Sequence, residues 1–161
     1  MADISTTYSE LFIVEAQPPF SSRAFQFVPE VIENPRSAKL QEVVIIGRND
    51  ALLHYINGQE SLRLELEFLA TSEKKDDVKK TIDWFKSLTM NDGYSGKIRN
   101  VKLIMGNVFT NEVWLVEAVE PKMSHFSQKD AWMPLRATIG LNLKLDPNKN
   151  RYIDDVRNGN A

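Results

Sequence analysis

"WMPLRATIGLNLKLD", residues 132–146, alternates with a period of two through most of its length. Leu135, Ala137, Ile139, Leu141, Leu143 and Leu145 fall on one side; Arg136, Thr138, Gly140, Asn142 and Lys144 fall on the other. Side chains of a strand point alternately to opposite faces, so the stretch reads as one long strand with an apolar and a polar face. "SLRLELEFLA", residues 61–70, repeats the pattern: Leu62, Leu64, Leu66 and Phe68 share one face, Arg63, Glu65 and Glu67 the other. Burying those four apolar side chains contributes at most about 6–12 kcal/mol. A slip of one residue would turn all four into water, so the register is fixed.

Between these strands the period changes. In "TSEKKDDVKKTIDWFKSLTM", residues 71–90, Val78, Ile82, Phe85 and Leu88 or Thr89 recur at helical spacing. Acidic Glu73, Asp76 and Asp77 stand near the start and Lys86 near the end, which suits the helix dipole. Working outward, strands are expected at residues 11–16, 24–30 and 42–47. Pro18 and Pro19 break the first. Residues 34–41 read as a polar connection and residues 48–60 as a loop closed by a turn at Asn57-Gly58. Further strands are expected at 97–106 and 112–123, joined by a turn around Asn107 to Asn111, with 124–133 as a connection. Loops this short permit only antiparallel neighbours late in the chain. The expected fold is α+β: a twisted, mainly antiparallel β-barrel or sandwich with one flanking α-helix. Residues 1–9 read as a flexible arm, 10–146 as the domain, and 147–161 as a polar tail with at most a short helical turn.

Composition narrows the classes of function. A chain of 161 residues with 42% hydrophobic residues supports one packed domain. The net charge of -2 gives no basic excess for gripping nucleic acid. The absence of cysteine excludes disulfides and thiolate metal sites. The N-terminus lacks the pattern of a signal peptide, and no apolar run is long enough to span a bilayer.

Residues that carry chemistry are few. His54 and His125 are the only histidines. His125 has Ser124, Ser127 and Asp130 nearby in sequence, but a triad is defined by geometry, and no nucleophile-elbow glycines accompany these serines. A loop histidine is the reading adopted, and His54 is expected in a half-buried loop. The adjacent pairs Asp76-Asp77 and Asp154-Asp155 diverge in direction and lack calcium-loop spacing. Gly93 and Gly96 match no phosphate-binding pattern. Lys74, Lys75, Lys79 and Lys80 alternate with Asp76, Asp77 and Asp83, as on a solvated helix face. Trp84, Trp114 and Trp132 lie on separate elements and form no stacking platform. No cofactor, no metal and no enzymatic activity are expected. Long two-faced strands instead leave edges for other chains to pair with, which points to an assembly protein.

Several short motifs, in order, resemble the tube and tube-end proteins of contractile injection systems and contractile phage tails. The likeness is to the N-terminal domain of the family whose longer members carry a LysM module. "FVPE" (27–30) resembles an aromatic–x–Pro–Glu step at an early strand end, and "GRNDALLHY" (47–55) a Gly-Arg pair followed by leucines. "NGQESLRLELEFLA" (57–70) resembles a turn feeding a leucine-alternating strand. "KKDDVKKTIDWFKSL" (74–88) resembles the acidic lead into the helix, and "MPLRATIGLNLKL" (133–145) a Pro-x-Arg-Ala step opening the last strand. The likeness spans roughly residues 20–146. It departs at "QKDAWMP", where members often place an acidic-Gly turn, and in the lack of a LysM module, which disfavours a peptidoglycan or sheath-collar role.

The resemblance implies a tail-tube fold and a structural ring, expected as a hexamer, whose long hairpins join into one inner barrel. It implies as partners further copies of the chain, the baseplate hub and the tail tube protein, with DNA only as cargo through the lumen and no membrane. The location implied is the virion tail, after synthesis in the host cytoplasm. The role implied is a tube initiator or adaptor. The alternatives are the tail-tube protein itself, a small barrel enzyme or ligand-binding domain using His54 or His125, and a nucleic-acid-binding barrel with steep salt dependence. Arg48, Arg63, Arg136 and Lys144 are the candidate interface residues, because basic side chains on or beside polar strand faces have no role in a core.

Overall fold

The computed structural model describes residues 11–70, 77–91, 93, 96–106, 108–109, 112–146 and 152–158. Strands β1 (Leu11–Glu15), β2 (Ser22–Ala24), β3 (Ile32–Glu33), β4 (Arg36–Val43) and β5 (Leu52–Leu69) precede helix α1 (Asp77–Ser87). Strands β6 (Asn100–Met105), β7 (Trp114–Ser127) and β8 (Met133–Leu145) follow it, with a short helix α2 (Ile153–Arg157). The strands form one open, wholly antiparallel sheet in the order β2-β1-β6-β7-β8-β5-β3, with β4 pairing with β5 beside that path. This is the α+β class read from the sequence, a curled antiparallel sheet with one helix against it.

The two alternating stretches lie side by side. Ser61–Leu69 of β5 runs against Arg136–Lys144 of β8, so Leu62 faces Leu143, Leu64 faces Leu141, Leu66 faces Ile139 and Phe68 faces Ala137. All eight are buried. Helix α1 covers them with Val78, Ile82 and Phe85, and Leu88 follows just past its end. The Phe85 ring packs between Phe68 at 5.9 Å and the edge of Trp84 at 5.1 Å. Trp84 in turn donates its indole N–H to Ser21 Oγ (2.6 Å), and the Arg23 guanidinium sits over its ring, tying the helix to the β1–β2 connection. That connection contains the cis Pro18-Pro19 peptide. It is also held by Arg99, which pairs with the buried Glu15 at 3.1 Å and donates to the Pro18 carbonyl.

Five expectations change. Residues 24–30 are not a strand: only Ala24 belongs to one. Gln26 instead uses its side-chain amide as a surrogate strand, accepting from Leu69 N (2.6 Å) and donating to Leu69 O (2.9 Å). Residues 36–41 are strand and not connection. The strand expected at 42–47 holds only its first two residues, and the rest turns over. Most of the expected loop 48–60 is strand: β5 runs for 18 residues, and Asn57-Gly58 is paired inside it. The expected connection 124–133 is likewise strand as far as Ser127. The N-terminal arm 1–9, the acidic lead Glu73 and Asp76, and most of the turn at 107–111 and of the polar tail fall outside the described residues.

Candidate assembly interface

Two hairpins extend from opposite ends of the β5–β8 pair. One joins β4 to the first half of β5; the other joins β7 to β8. In the first, Arg36↔Glu60, Ala38↔Gly58, Leu40↔Tyr55 and Glu42↔Leu53 are paired. The register shifts between Lys39 and Leu40, which leaves Ile56 as an extra, bulged residue. These four pairs share the face that continues from Leu62 and Leu64, the core side of the sheet. The atoms nearest to where a Gly58 Cβ would stand are Arg36 Nη2 at 2.9 Å and Tyr55 Oη at 3.1 Å, which places all three residues on that face.

This face mixes charged Arg36, Glu42 and Glu60 with apolar side chains that no other described element covers. Leu40, Tyr55 and Leu53 are each more than half exposed, and so is every other residue of β4 exposed. The turn Val44-Ile45-Ile46 is exposed as well, Ile46 completely. Exposed apolar side chains scattered singly are ordinary, but a contiguous group along one hairpin face marks a surface made for contact. The opposite face carries Ser37, Lys39, Gln41, Asn57, Gln59 and His54 and is polar up to the exposed Val43↔Leu52 pair beside the turn. His54 is therefore an exposed strand residue and not part of a half-buried loop.

The edges are as informative as the faces. On β5, the side away from β8 is sealed by Gln26, by β3 at Arg63 and Leu64, and by β4 beyond them. β4 has no further strand partner among the described residues, so its outer edge is open. β6 joins β7 only at Asn100↔Leu115 and Val101↔Trp114, so among the described residues the β7 edge beyond Val116 is open too. Among the described residues the strip β4-β5-β8-β7 thus has an open edge on each flank, along β4 on one side and along β7 beyond Val116 on the other. Because each neighbour runs antiparallel, β4 and β7 also run in opposite directions.

Arg63, Arg136 and Lys144 lie on the polar face of β5 and β8, Arg63 and Lys144 near one end of the pairing and Arg136 at the other. Each meets a carboxylate: Glu33 at 4.0 Å, Glu67 at 2.6 Å and Glu117 at 2.9 Å respectively. Glu117 reaches Lys144 from the bulge in β7 between Val116 and Ala118. Arg48 lies elsewhere, exposed in the turn of the first hairpin, with its backbone N–H donating to Ile45 O. The polar face also carries a groove of about 800 Å³ over Gly140, walled by Glu65, Glu67 and Glu120 and by the Phe27–Val31 segment. His125, in left-handed backbone, has Nδ1 3.1 Å from Ser124 Oγ, and Ser127 donates to Asp130 Oδ2 at 2.6 Å. Among the described residues no group of three or more His, Asp or Glu side chains is placed to hold a metal. Among the same residues no helix is long and apolar enough to cross a membrane. The residues the sequence did not single out are Leu40, Leu53 and Tyr55. The signal for Leu53 and Tyr55 is the mostly apolar run 51–56 in a segment that reads as loop; Leu40 stands alone in a polar stretch.

No family model matches the sequence, and no curated protein matches it. Solved structures with a similar chain include the tail of an empty gene transfer agent particle with C6 symmetry (TM-score 0.40, 9% identity, covering 88% of this chain and 95% of that one). Another is the virion of a native gene transfer agent (0.38, 11%, 86% and 92%). A third is the six-fold symmetrised baseplate of the anti-feeding prophage (0.40, 14%, 85% and 89%). At these scores the likeness is distant.

Proposed function

We propose that the chain is a structural ring component of a contractile tail or injection particle, placed between baseplate hub and tail tube, where it templates tube assembly. The observation that carries this is the strip β4-β5-β8-β7, with an open strand edge on each flank and with Leu40, Leu53 and Tyr55 exposed together on one hairpin face. In a ring, the open edge of β7 pairs with β4 of the next copy. That pairing is antiparallel, as every pairing in the subunit is, and it is a heterologous contact that repeats until it closes. It also removes both exposed edges at once. β4 lies at one end of the strip and the open part of β7 at the other, and this offset is the stagger that tilted strands need to close into a barrel. Leu40, Leu53 and Tyr55 are then covered by the neighbour. The polar face of Arg63, Glu65, Glu67, Glu120, Arg136 and Lys144 borders the channel, its charges balanced enough to let DNA pass as cargo. The ring is a hexamer and meets hub proteins on one side and tube protein on the other; it uses no cofactor and no membrane.

The lack of cysteine makes the contact easy to test. Subunits carrying Gln41→Cys and Lys122→Cys, one on β4 and one on β7, should crosslink between copies on oxidation. Electron microscopy should show six-fold rings, and quantified particles should hold one ring or a few. Many rings per particle would assign the chain to the tube itself. A chain that stays monomeric and is missing from tails would overturn the proposal.

A further inference from the structure

Asn57 and Gly58 form an Asn-Gly pair in the exposed half of β5. Such a pair is chemically labile, because the glycine nitrogen can reach the asparagine side-chain carbonyl with no Cβ to obstruct it. Paired strand geometry holds the two apart: the Asn57 side chain stands off the sheet while Gly58 lies in the ladder. The reaction therefore needs the hairpin to open. Here opening is easy. Among the described residues β4 pairs with no strand but β5, and a two-stranded hairpin alone is marginally stable in water. The bulged Ile56 interrupts the ladder immediately before Asn57.

We propose that Asn57 is a site of spontaneous covalent modification in the unassembled subunit, and that its conversion disables the hairpin. The Gly58 nitrogen loses its proton and bonds to Asn57 Cγ, the Cγ–Nδ2 bond breaks, and ammonia leaves. The resulting succinimide is opened by water at either carbonyl, giving aspartate or isoaspartate. Water is consumed and nothing is oxidised or reduced. Isoaspartate routes the main chain through Cγ and adds one methylene to it. That insertion moves residues 58–60 out of register with Arg36, Ser37 and Ala38, at the root of the hairpin. The aspartate product only sets a carboxylate opposite Lys39, which the pair tolerates. Neighbours in a ring hold the strands closed, so assembled copies are shielded while idle ones age out. That selective consequence rests on the ring reading; the reactivity of Asn57 does not.

The test follows the Asn57 peptide of the full chain by mass at neutral pH, with the isoaspartate isomer separated. Three samples are compared: isolated subunits, subunits in urea, and particles. Modification in isolated subunits within about tenfold of the urea rate, and much slower in particles, is the expected result. A rate about a hundredfold or more below that in urea would show that pairing already protects the site and would overturn the proposal. Asn57→Gln should stay unmodified. Gly58→Ala, whose Cβ would come within 2.9 Å of Arg36 Nη2 and 3.1 Å of Tyr55 Oη, should react far more slowly. Aged subunits bearing isoaspartate should be missing from newly formed rings; if they enter as readily as fresh ones, the disabling step is wrong. Fresh subunits that never form rings would refute the ring reading alone and leave the rate comparison to decide the chemistry.

Discussion

Strand β5 contains its own controlled experiment. Leu53 and Leu66 stand on the same side of one strand, yet Leu53 is 64% exposed and Leu66 1%. Leu66→Ala removes a packed side chain beneath α1 and should cost the subunit about 2–5 kcal/mol. Leu53→Ala touches a side chain only about one-third buried, so the isolated subunit should lose about 0.5–1 kcal/mol. If a neighbouring copy covers the remaining two-thirds, each contact between copies loses about 1–2 kcal/mol. That is about 5- to 30-fold in contact affinity, repeated at every contact of a closed ring. Urea unfolding followed by tryptophan fluorescence measures the first quantity, since Trp114 is fully buried in the core and residues 36–60 contain no tryptophan. Sedimentation of the assembled species measures the second. The reasoning fails if Leu53→Ala unfolds the subunit as severely as Leu66→Ala, or if it assembles as tightly as the parent.

Other substitutions separate the same contributions. Phe85→Ala opens a cavity between Phe68 and Trp84 and should lower unfolding stability by about 3–5 kcal/mol, measured in urea. Arg99→Ala leaves the Glu15 carboxylate, 10% exposed, without that partner and should cost about 1–3 kcal/mol, with the loss reduced in the Glu15→Gln background. Arg136→Glu breaks a pair with Glu67 whose side chains are 47% and 38% exposed. Subunit stability should therefore change by less than about 1 kcal/mol while ring formation falls, and an unfolded mutant or an unimpaired ring would contradict the placement of Arg136 at an interface.

What could be read in the sequence follows from where burial lies. Alternation at 61–69 and 135–145 is the imprint of a core on a strand, and helical spacing at Val78, Ile82 and Phe85 is the imprint of the same core on α1. The hairpin 36–60 bears no such imprint, because neither of its faces is buried within the subunit. "RSAKLQEV" thus looks like a connection and Asn57-Gly58 like a turn, although both are paired strand. At 24–30 the error has a different cause: Phe25 packs against the core from irregular backbone, and Gln26 supplies pairing through its side chain. Of the four basic candidates, Arg63, Arg136 and Lys144 share the polar face of β5 and β8, as the alternation of those strands dictates, while Arg48 lies in the turn between β4 and β5.

The continuity of β5 has a mechanical consequence. Its 18 residues span about 60 Å of one strand. The half nearer the turn stands clear of the body, and the other half is clamped between β8 and the β3–Gln26 edge. A pull on the hairpin along its length does not peel the sheet open bond by bond. It loads the nine pairs from Ser61↔Lys144 to Leu69↔Arg136 together, across hydrogen bonds lying perpendicular to the force. Such a strand resists shear far better than unzipping, and a load borne by the projecting hairpin passes straight into the best-packed part of the molecule.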